Sequence, residues 1–307
     1  MEVRRLPLTL VIFAAPLLLA NEAPPPSDDP VIPPPIRAML DAAIAAGNDA
    51  EVSTIVKFAR AADPASGDAV LRIATEGRAV RAKERETRVE QARWYNLWTG
   101  RAQLGGFVTT GNSDTSGLTG SLDLTREGLE WRHKLRGQLD YQRSIGITTR
   151  EHYLAAYEPN WKIDSRRYVY GAAQFEADRF FGYTERYSAS AGAGYSAVQS
   201  RAVTLALELG PAFRHTVFTD DVIESSIAAR GRVDFDWKLS PGVTLSQVAA
   251  AYLQRYNSTV SSTTALAARV VGPLSAQVSY SVQYESLPPI GRVSTDTISR
   301  ASLVYTF

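Results

Sequence analysis

The chain has 307 residues, and its 33 Lys and Arg side chains are almost balanced by 32 Asp and Glu side chains. A formal net charge of +1 excludes the strongly basic surface of a typical nucleic-acid-binding domain, so we expect no nucleic-acid partner. The sequence has no cysteine and three histidines, which excludes disulfides and zinc–cysteine sites, and we expect neither a metal nor another cofactor. The mean hydropathy of −0.15 would suit a water-soluble protein, but a membrane β-barrel has a similarly low value because its lipid-facing residues alternate with polar ones.

Residues 1–20 predict a secretory signal peptide. Arg4 and Arg5 give a positively charged start, and the apolar stretch 6–19 follows. The alternative is a membrane anchor helix, but the apolar stretch is shorter than the ~18 residues that a spanning helix needs, and it contains Pro16. We therefore expect the mature protein to be exported.

Two segments of different character follow the signal peptide. Residues 21–35 are polar and rich in proline, which predicts an extended tether. Residues 36–97 predict a periplasmic helical segment, in which apolar residues recur at spacings of three and four until Gly47 and again until Asp63. The stretch 78–93 is charged nearly all round, which is typical of a solvated helix, although it could also contact peptidoglycan or an acidic partner.

From Trp98 to the last residue, apolar and polar residues alternate. In each of the stretches 129–142, 227–239 and 274–285, one face is mostly apolar and the other is polar or charged. Alternation with a period of two is the signature of a β-strand with one apolar face. These runs are about twice as long as the ~5–6 residues of a typical globular strand, which favours strands that span a membrane.

Twelve such segments can be counted in the C-terminal two-thirds of the chain. They lie at residues 101–110, 116–125, 129–142, 151–163, 167–178, 185–197, 202–214, 224–239, 243–255, 261–271, 274–285 and 295–307. Short turns alternate with longer connections, so residues 98–307 predict a 12-stranded antiparallel up-and-down transmembrane β-barrel. An even strand number brings the last strand beside the first, which leaves no unpaired backbone edge in lipid.

We expect the apolar face of this barrel to contact outer-membrane lipid and the polar face to line the lumen. Four tryptophans fall at the rim with the short turns, where an aromatic belt belongs: Trp98, Trp131, Trp161 and Trp237. Six tyrosines are predicted at the opposite rim: Tyr141, Tyr153, Tyr183, Tyr187, Tyr256 and Tyr284. The predicted lumen charges are of both signs and nearly balanced, which favours a narrow or closed barrel over a wide porin.

The last eight residues, RASLVYTF, resemble the outer-membrane assembly signal that the barrel-insertion machinery reads. Arg300 is the polar residue of this signal, Ser302 stands in the usual place of a glycine, and Tyr305 and Phe307 are its aromatic residues. The resemblance implies that the barrel-assembly machinery is a partner of the chain through these four residues.

The stretch WTGRAQLGGFVTTGNSDTSGLTGSLDL (98–124), followed by LEWRHKLRGQLDYQRS (129–144), resembles a family of salt-induced outer-membrane proteins, a YdiY-like domain of unknown function. The TTGNSDT hairpin (109–115) is the most telling part of the match. The resemblance covers about residues 98–307, and the helical segment lies outside it. The resemblance implies a location in the bacterial outer membrane and a role under osmotic stress, but it identifies no active-site residues.

Candidate catalytic residues are few. His215 lies in a predicted loop with Asp220 and Asp221, where a histidine beside carboxylates could activate water. His133 falls on the predicted lipid face, which would suit a phospholipase, and His152 follows a glutamate near another loop. These positions are explained better without catalysis: His215 and His152 as solvated residues of loops, and His133 as a side chain that is tolerated near the membrane interface. We therefore expect a passive small-solute pore or a structural protein of the stressed envelope, with a membrane-embedded hydrolase, phospholipase- or protease-like, as the alternative.

Overall fold

The computed structural model of the chain describes residues 32–109, 115–255, 257–288 and 293–307. The predicted signal peptide, most of the predicted tether and the tip of the TTGNSDT hairpin lie outside the described residues. The described part divides into two compact units between Glu84 and Arg85. None of its helices is long and apolar enough to cross a membrane.

Three helices form the N-terminal part: α1 at Pro34–Ala45, α2 at Asp49–Ala62 and α3 at Pro64–Gln91. Helix α1 begins inside the predicted tether, because proline fits the first turn of a helix, where its missing N–H is not needed. Gly47, with φ 69°, follows the end of α1, and the side chain of Asn48 caps α2 by accepting a hydrogen bond from the backbone N–H of Glu51. The three helices share a small buried core of Leu40, Ala43, Val52, Val56, Ala59, Val70 and Ala74.

The predicted twelve-stranded barrel is confirmed. The strands are β1 Trp98–Thr109, β2 Thr115–Glu127, β3 Trp131–Ser144, β4 Ile147–Lys162, β5 Arg167–Asp178, β6 Tyr183–Gln199, β7 Val203–Phe218, β8 Ile223–Ser240, β9 Val243–Gln254, β10 Thr259–Val271, β11 Leu274–Glu285 and β12 Thr295–Thr306. Each strand pairs antiparallel with its neighbours in sequence, and β12 pairs with β1 to close the sheet. Gly100 and Phe307 complete this seam by exchanging two backbone hydrogen bonds of 2.9 Å.

Several strands extend further toward the long-loop end than the sequence predicts. The sequence predicts a longer connection over residues 143–150, between the strands at 129–142 and 151–163. That prediction is wrong, because β3 and β4 continue up to a turn in which Ile145 and Gly146 have positive φ. The loop predicted over residues 215–223 is also wrong in its first half. β7 continues to Phe218, so His215 is a strand residue.

The alternation places apolar side chains outside and charged side chains inside, as predicted. Leu104, Leu209 and Val278 are largely exposed on the outer face, whereas the neighbouring Glu208 and Arg230 are buried in the lumen. An exposed apolar band around a closed barrel is the arrangement that lipid requires, because only the backbone-satisfied sheet and apolar side chains then meet hydrocarbon.

The aromatic residues follow the prediction with one exception. Trp131 and Trp161 are direct partners on β3 and β4 at the short-turn end, and both are exposed there together with Trp237. Tyr183 was expected on the outer rim, but its side chain is fully buried inside the barrel, because it lies on the same face as Arg186 after a register shift at the start of β6. Tyr256 lies outside the described residues.

A charge placed on the outer face tests this orientation. Leu122 is half-exposed on the outer face of β2, and the preceding residue, Ser121, lines the lumen. We expect Leu122→Arg to lower the stability of the barrel in lipid bilayers by about 2–4 kcal/mol, since an arginine near the bilayer midplane loses its hydration. Ser121→Arg is the matched control and should cost much less, because the added charge would face the polar interior. Denaturant unfolding in liposomes measures both; equal losses would contradict the orientation.

Candidate functional site

A cluster of charged side chains crosses the lumen. Arg230 on β8 lies 3.2 Å from Glu158 on β4 and 3.0 Å from Glu208 on β7. Lys134 on β3 lies 2.9 Å from Glu158 and 3.7 Å from Glu208. Because β4 and β8 are four strands apart in the closed order, these contacts cross the interior instead of following one wall. We call these four residues the central cluster.

A second contact crosses the lumen toward the long-loop end. The Arg186 guanidinium on β6 lies 2.7 Å from the Glu285 carboxylate on β11, five strands away, and both side chains are 2% exposed. Asn257 and Thr259 donate further hydrogen bonds to Glu285, and the Arg186 guanidinium stacks 3.7 Å above the ring of Tyr183. A buried ion pair persists only when its remaining hydrogen-bonding groups are satisfied in this way. We call the Arg186–Glu285 pair the lumen brace.

A third contact lies beside the seam between the first and last strands. The register between β1 and β12 runs only from Arg101 to Leu104, whereas that between β1 and β2 runs the whole length of β1. Inside the barrel, Arg300 on β12 reaches past β1 and β2 to Asp140 on β3, at 2.7 Å. Asp140 also accepts hydrogen bonds from Thr119 and Gln138. The Arg300–Asp140 pair, the seam clamp, therefore supplements a short backbone ladder.

Two cavities lie inside the barrel beside these clusters, and we call the two together the passage. One cavity of about 250 Å³ reaches Asp296 and Ile298, near the start of β12 at the long-loop end. A second cavity of about 430 Å³ reaches Thr99 and Phe307 at the short-turn end. Both cavities are lined by the same seven residues, which lie where the two approach each other: Arg101, Asp123, Arg136, Leu154, Gln174, Arg230 and Arg232. Small hydroxyl side chains line much of the wall opposite the central cluster: Ser246, Ser261, Ser262, Thr263, Ser279 and Ser281.

The short-turn rim carries its own polar contacts. Glu127 pairs with Arg132 at 2.6 Å and with Lys162 at 2.5 Å. In the turn between β4 and β5, Asp164 accepts hydrogen bonds from the backbone N–H of Arg167, the backbone N–H of Arg166 and the Arg167 guanidinium. These contacts lower the pKa of Asp164 to about 2. The turn carboxylate is therefore ionised at every physiological pH.

The candidate catalytic residues do not converge. His215 lies on the outer face of β7, with Nδ1 2.7 Å from the hydroxyl oxygen of Ser225, its cross-strand partner. Asp220 and Asp221 are exposed in the connection after β7, and within the part of the chain that the structure describes neither forms a hydrogen bond or ion pair with His215.

The other two histidines also have structural surroundings. His133 is stacked between Trp131 and Tyr157 on the outer face, and its Nδ1 lies 2.9 Å from the Tyr157 hydroxyl oxygen. His152 does not lie at an outward loop. It is buried on the lumen side of β4, 3.3 Å from Asp140.

A model of the family described as "Protein of unknown function, DUF481" matches residues 102–307. The chain belongs to this family. It is 25% identical over 190 residues to the uncharacterized protein YdiY of Escherichia coli (strain K12), a match that covers 62% of this chain and 75% of that protein. The YdiY-like resemblance of the barrel sequence is thereby confirmed.

Several solved barrel structures are similar to this DUF481 protein at low sequence identity. The NanC porin matches with a TM-score of 0.44 at 12% identity, over 67% of this chain and 99% of that one. The translocator domain of the autotransporter NalP from Neisseria meningitidis matches with a TM-score of 0.39 at 11% identity, over 76% and 97% of the two chains. The outer membrane channel DcaP of Acinetobacter baumannii matches with a TM-score of 0.35 at 8% identity, over 69% and 95%.

Sequence reasoning about this DUF481 protein missed several charged lumen residues, among them Arg150, Asp178, Arg186 and Arg214. All four lie toward the long-loop end, where the predicted strands were too short or their facing was not assigned. The alternation did contain a signal, because Arg186 stands two residues before the inward Ser188, and Arg214 two residues before the inward Thr216. The sequence carries no comparable signal for the partner that each charged side chain contacts across the lumen.

The lumen brace can be tested by removing one or both of its partners. We expect Glu285→Ala alone to destabilise the DUF481 barrel by about 3–5 kcal/mol, because it leaves the buried Arg186 charge without its partner. Arg186→Ala together with Glu285→Ala should recover much of that loss, since no unpaired charge remains. Denaturant unfolding in detergent micelles measures the three variants. Strictly additive losses in the double variant would contradict direct pairing.

Proposed function

We propose that this protein is a narrow channel of the bacterial outer membrane through which small solutes pass without an energy source. The observation that supports this proposal is a pair of cavities with seven lining residues in common. One cavity reaches the long-loop end of the lumen, and the other reaches the short-turn end. The exposed apolar outer face fits a lipid bilayer, and a closed antiparallel barrel is the β-architecture that bacterial outer membranes hold.

The cross-lumen contacts limit the size of the solute. Barrels of 16–18 strands leave a wide aqueous channel, and barrels of about 8 strands are filled by their own side chains, so a barrel of 12 strands lies between these two cases. Here the central cluster and the lumen brace divide the space inside the barrel. The remaining cavities, of about 250 and 430 Å³, suit hydrated ions and small organic molecules rather than oligomers.

A structural role in the envelope is a second candidate function. The buried ion pairs favour it, because they fill much of the lumen and tie together strands that are not neighbours. Resistance of the envelope to osmotic stress would then depend on the rigidity of the barrel.

A hydrolase is less well supported. No carboxylate contacts His215 within the described residues, and the strand N–H groups that could bind an oxyanion are already paired between neighbouring strands of the sheet.

Conductance in planar bilayers tests the channel proposal. We expect the purified protein to give small, discrete, salt-dependent current steps. Removing the lumen brace with the double variant Arg186→Ala/Glu285→Ala should increase the step size, because two large side chains leave the lumen while the net charge is unchanged. The matched control is Asp164→Ala/Arg167→Ala, which removes an ion pair from a short turn outside the passage and should leave the step size as it is.

Heat-modifiable migration on a gel confirms that each variant is a folded barrel before it is measured. A folded wild-type protein that gives no current steps would contradict the channel and favour the structural role. Steps whose size is the same with and without the lumen brace would contradict the limiting role that we assign to that pair.

We also propose that the aromatic side chains at the C-terminus are read by the barrel-assembly machinery. Tyr305 and Phe307 lie on the outer face, each half-exposed, with their rings stacked at 6.1 Å. Arg300 and Ser302 face inward, where Arg300 forms the seam clamp and Ser302 accepts a hydrogen bond from Gln103. The outward pair is therefore accessible to a partner, and the inward pair contributes to closure of the seam.

Phe307→Ala separates recognition from stability. The backbone pairing of residue 307 with Gly100 does not need the ring, so we expect the purified variant to refold into detergent as the wild type does. In cells, the amount of folded barrel in the outer-membrane fraction should fall several-fold. Leu303→Ala, an equally exposed apolar residue earlier on the same face, is the control and should change it little. Equal losses for both variants would contradict recognition of the terminal aromatic residue.

A further inference from the structure

Several ion pairs along the passage share an asymmetry of side-chain exposure. Lys134 is 29% exposed, whereas its partners Glu158 and Glu208 are 11% and 3% exposed. Arg150 is 20% exposed and its partner Asp178 is 2% exposed. The seam clamp shows the same order, with Arg300 at 14% and Asp140 at 4%. In these pairs the cation is the more exposed partner, and the carboxylate is the more buried one.

This order has a simple physical cause. Arginine and lysine side chains are long and flexible, so their charged ends reach toward the barrel axis, while the shorter carboxylate side chains end close to the wall. A lumen that is nearly neutral in total charge can therefore present a positive surface to an ion inside it. Among the described pairs the order reverses toward the short-turn rim, where Glu127 and Asp234 are more exposed than their arginine partners, and at Arg230, which is 4% exposed against 11% for Glu158.

The junction between the two cavities has the strongest asymmetry. The charged residues that line both cavities are four arginines and one aspartate: Arg101, Arg136, Arg230, Arg232 and Asp123. Asp123 is shared by two of these arginines, at 3.6 Å from Arg101 and 2.7 Å from Arg136. One carboxylate cannot neutralise two guanidinium groups, so a positive charge is left over on this wall of the junction.

We infer that the passage conducts small anions in preference to cations, and that Arg101 and Arg136 are the residues that determine this preference. The inference rests on the proposed channel function and names its substrate class. An anion at the junction would meet guanidinium N–H groups that replace part of its hydration shell, whereas a cation would meet the same groups as a barrier. Arg101 and Arg136 are the most exposed of the paired cations along the passage, at 45% and 34%.

Reversal potentials measured across a potassium chloride gradient test the inference. We expect the wild-type channel to favour chloride over potassium. The double variant Arg101→Gln/Arg136→Gln leaves Asp123 without a cation and should shift the permeability ratio toward potassium roughly tenfold, about threefold for each unit charge a few ångströms from the ion. Asp123→Asn should shift the ratio about threefold in the opposite direction for the same reason. Arg167→Gln removes one positive charge from an exposed turn and should leave the ratio unchanged.

The outcomes separate this inference from the channel proposal. Current steps with a preference for potassium in the wild type, or the same ratio in wild type and both junction variants, would overturn the anion preference and leave the channel standing. The absence of current steps in a folded wild-type barrel would overturn both. Should the double arginine variant fail to show heat-modifiable migration, Asp123→Asn alone decides, since it removes no cation and its expected shift has the opposite sign.

Discussion

The structure depends on one constraint, which is that every backbone N–H and C=O group at membrane depth must be paired within the protein. The twelve strands meet it by closing the sheet, with β12 beside β1 and Phe307 bonded to Gly100 at the rim. Once the sheet is closed, the period of two fixes which side chain faces lipid and which faces the lumen. The apolar outer face and the charged interior both follow from this closure.

The closed sheet then creates a second problem, because charged side chains become enclosed in a narrow space. A buried charge is tolerated only when it is paired and hydrogen-bonded. The central cluster, the lumen brace and the seam clamp solve this problem with contacts between strands that are three to five positions apart around the barrel. The same contacts narrow the lumen, so stability and permeability are coupled in this protein. Any change that widens the passage also removes a tie between distant strands.

The C-terminal strand shows how one segment can serve two purposes. Its outward residues, Tyr305 and Phe307, form an exposed aromatic pair, while its inward residue Arg300 holds Asp140 across the seam. Alternation makes this division possible, because neighbouring residues face opposite environments. On the outer face, the cross-strand partners His215 and Ser225 come within hydrogen-bond distance of each other. This pairing does not by itself supply the further groups that catalysis would need.

The sequence by itself determined the strand number, the apolar and polar faces of most strands and the position of the tryptophan belt, because these depend on a local repeat that can be counted. It placed the strand ends less well: the polar residues of 143–150 and 215–223 are typical of loops, yet the sheet continues through most of them because their backbone finds partners in the neighbouring strand. Only the tertiary structure decided which charges meet. Arg186 and Glu285 are 99 residues apart and join because the curvature and stagger of the closed sheet bring β6 opposite β11. No local pattern in the sequence encodes a pairing between residues so far apart in the chain. The types of side chain that line the lumen were therefore predictable, but the contacts between them, and the space that those contacts leave for an ion, were not.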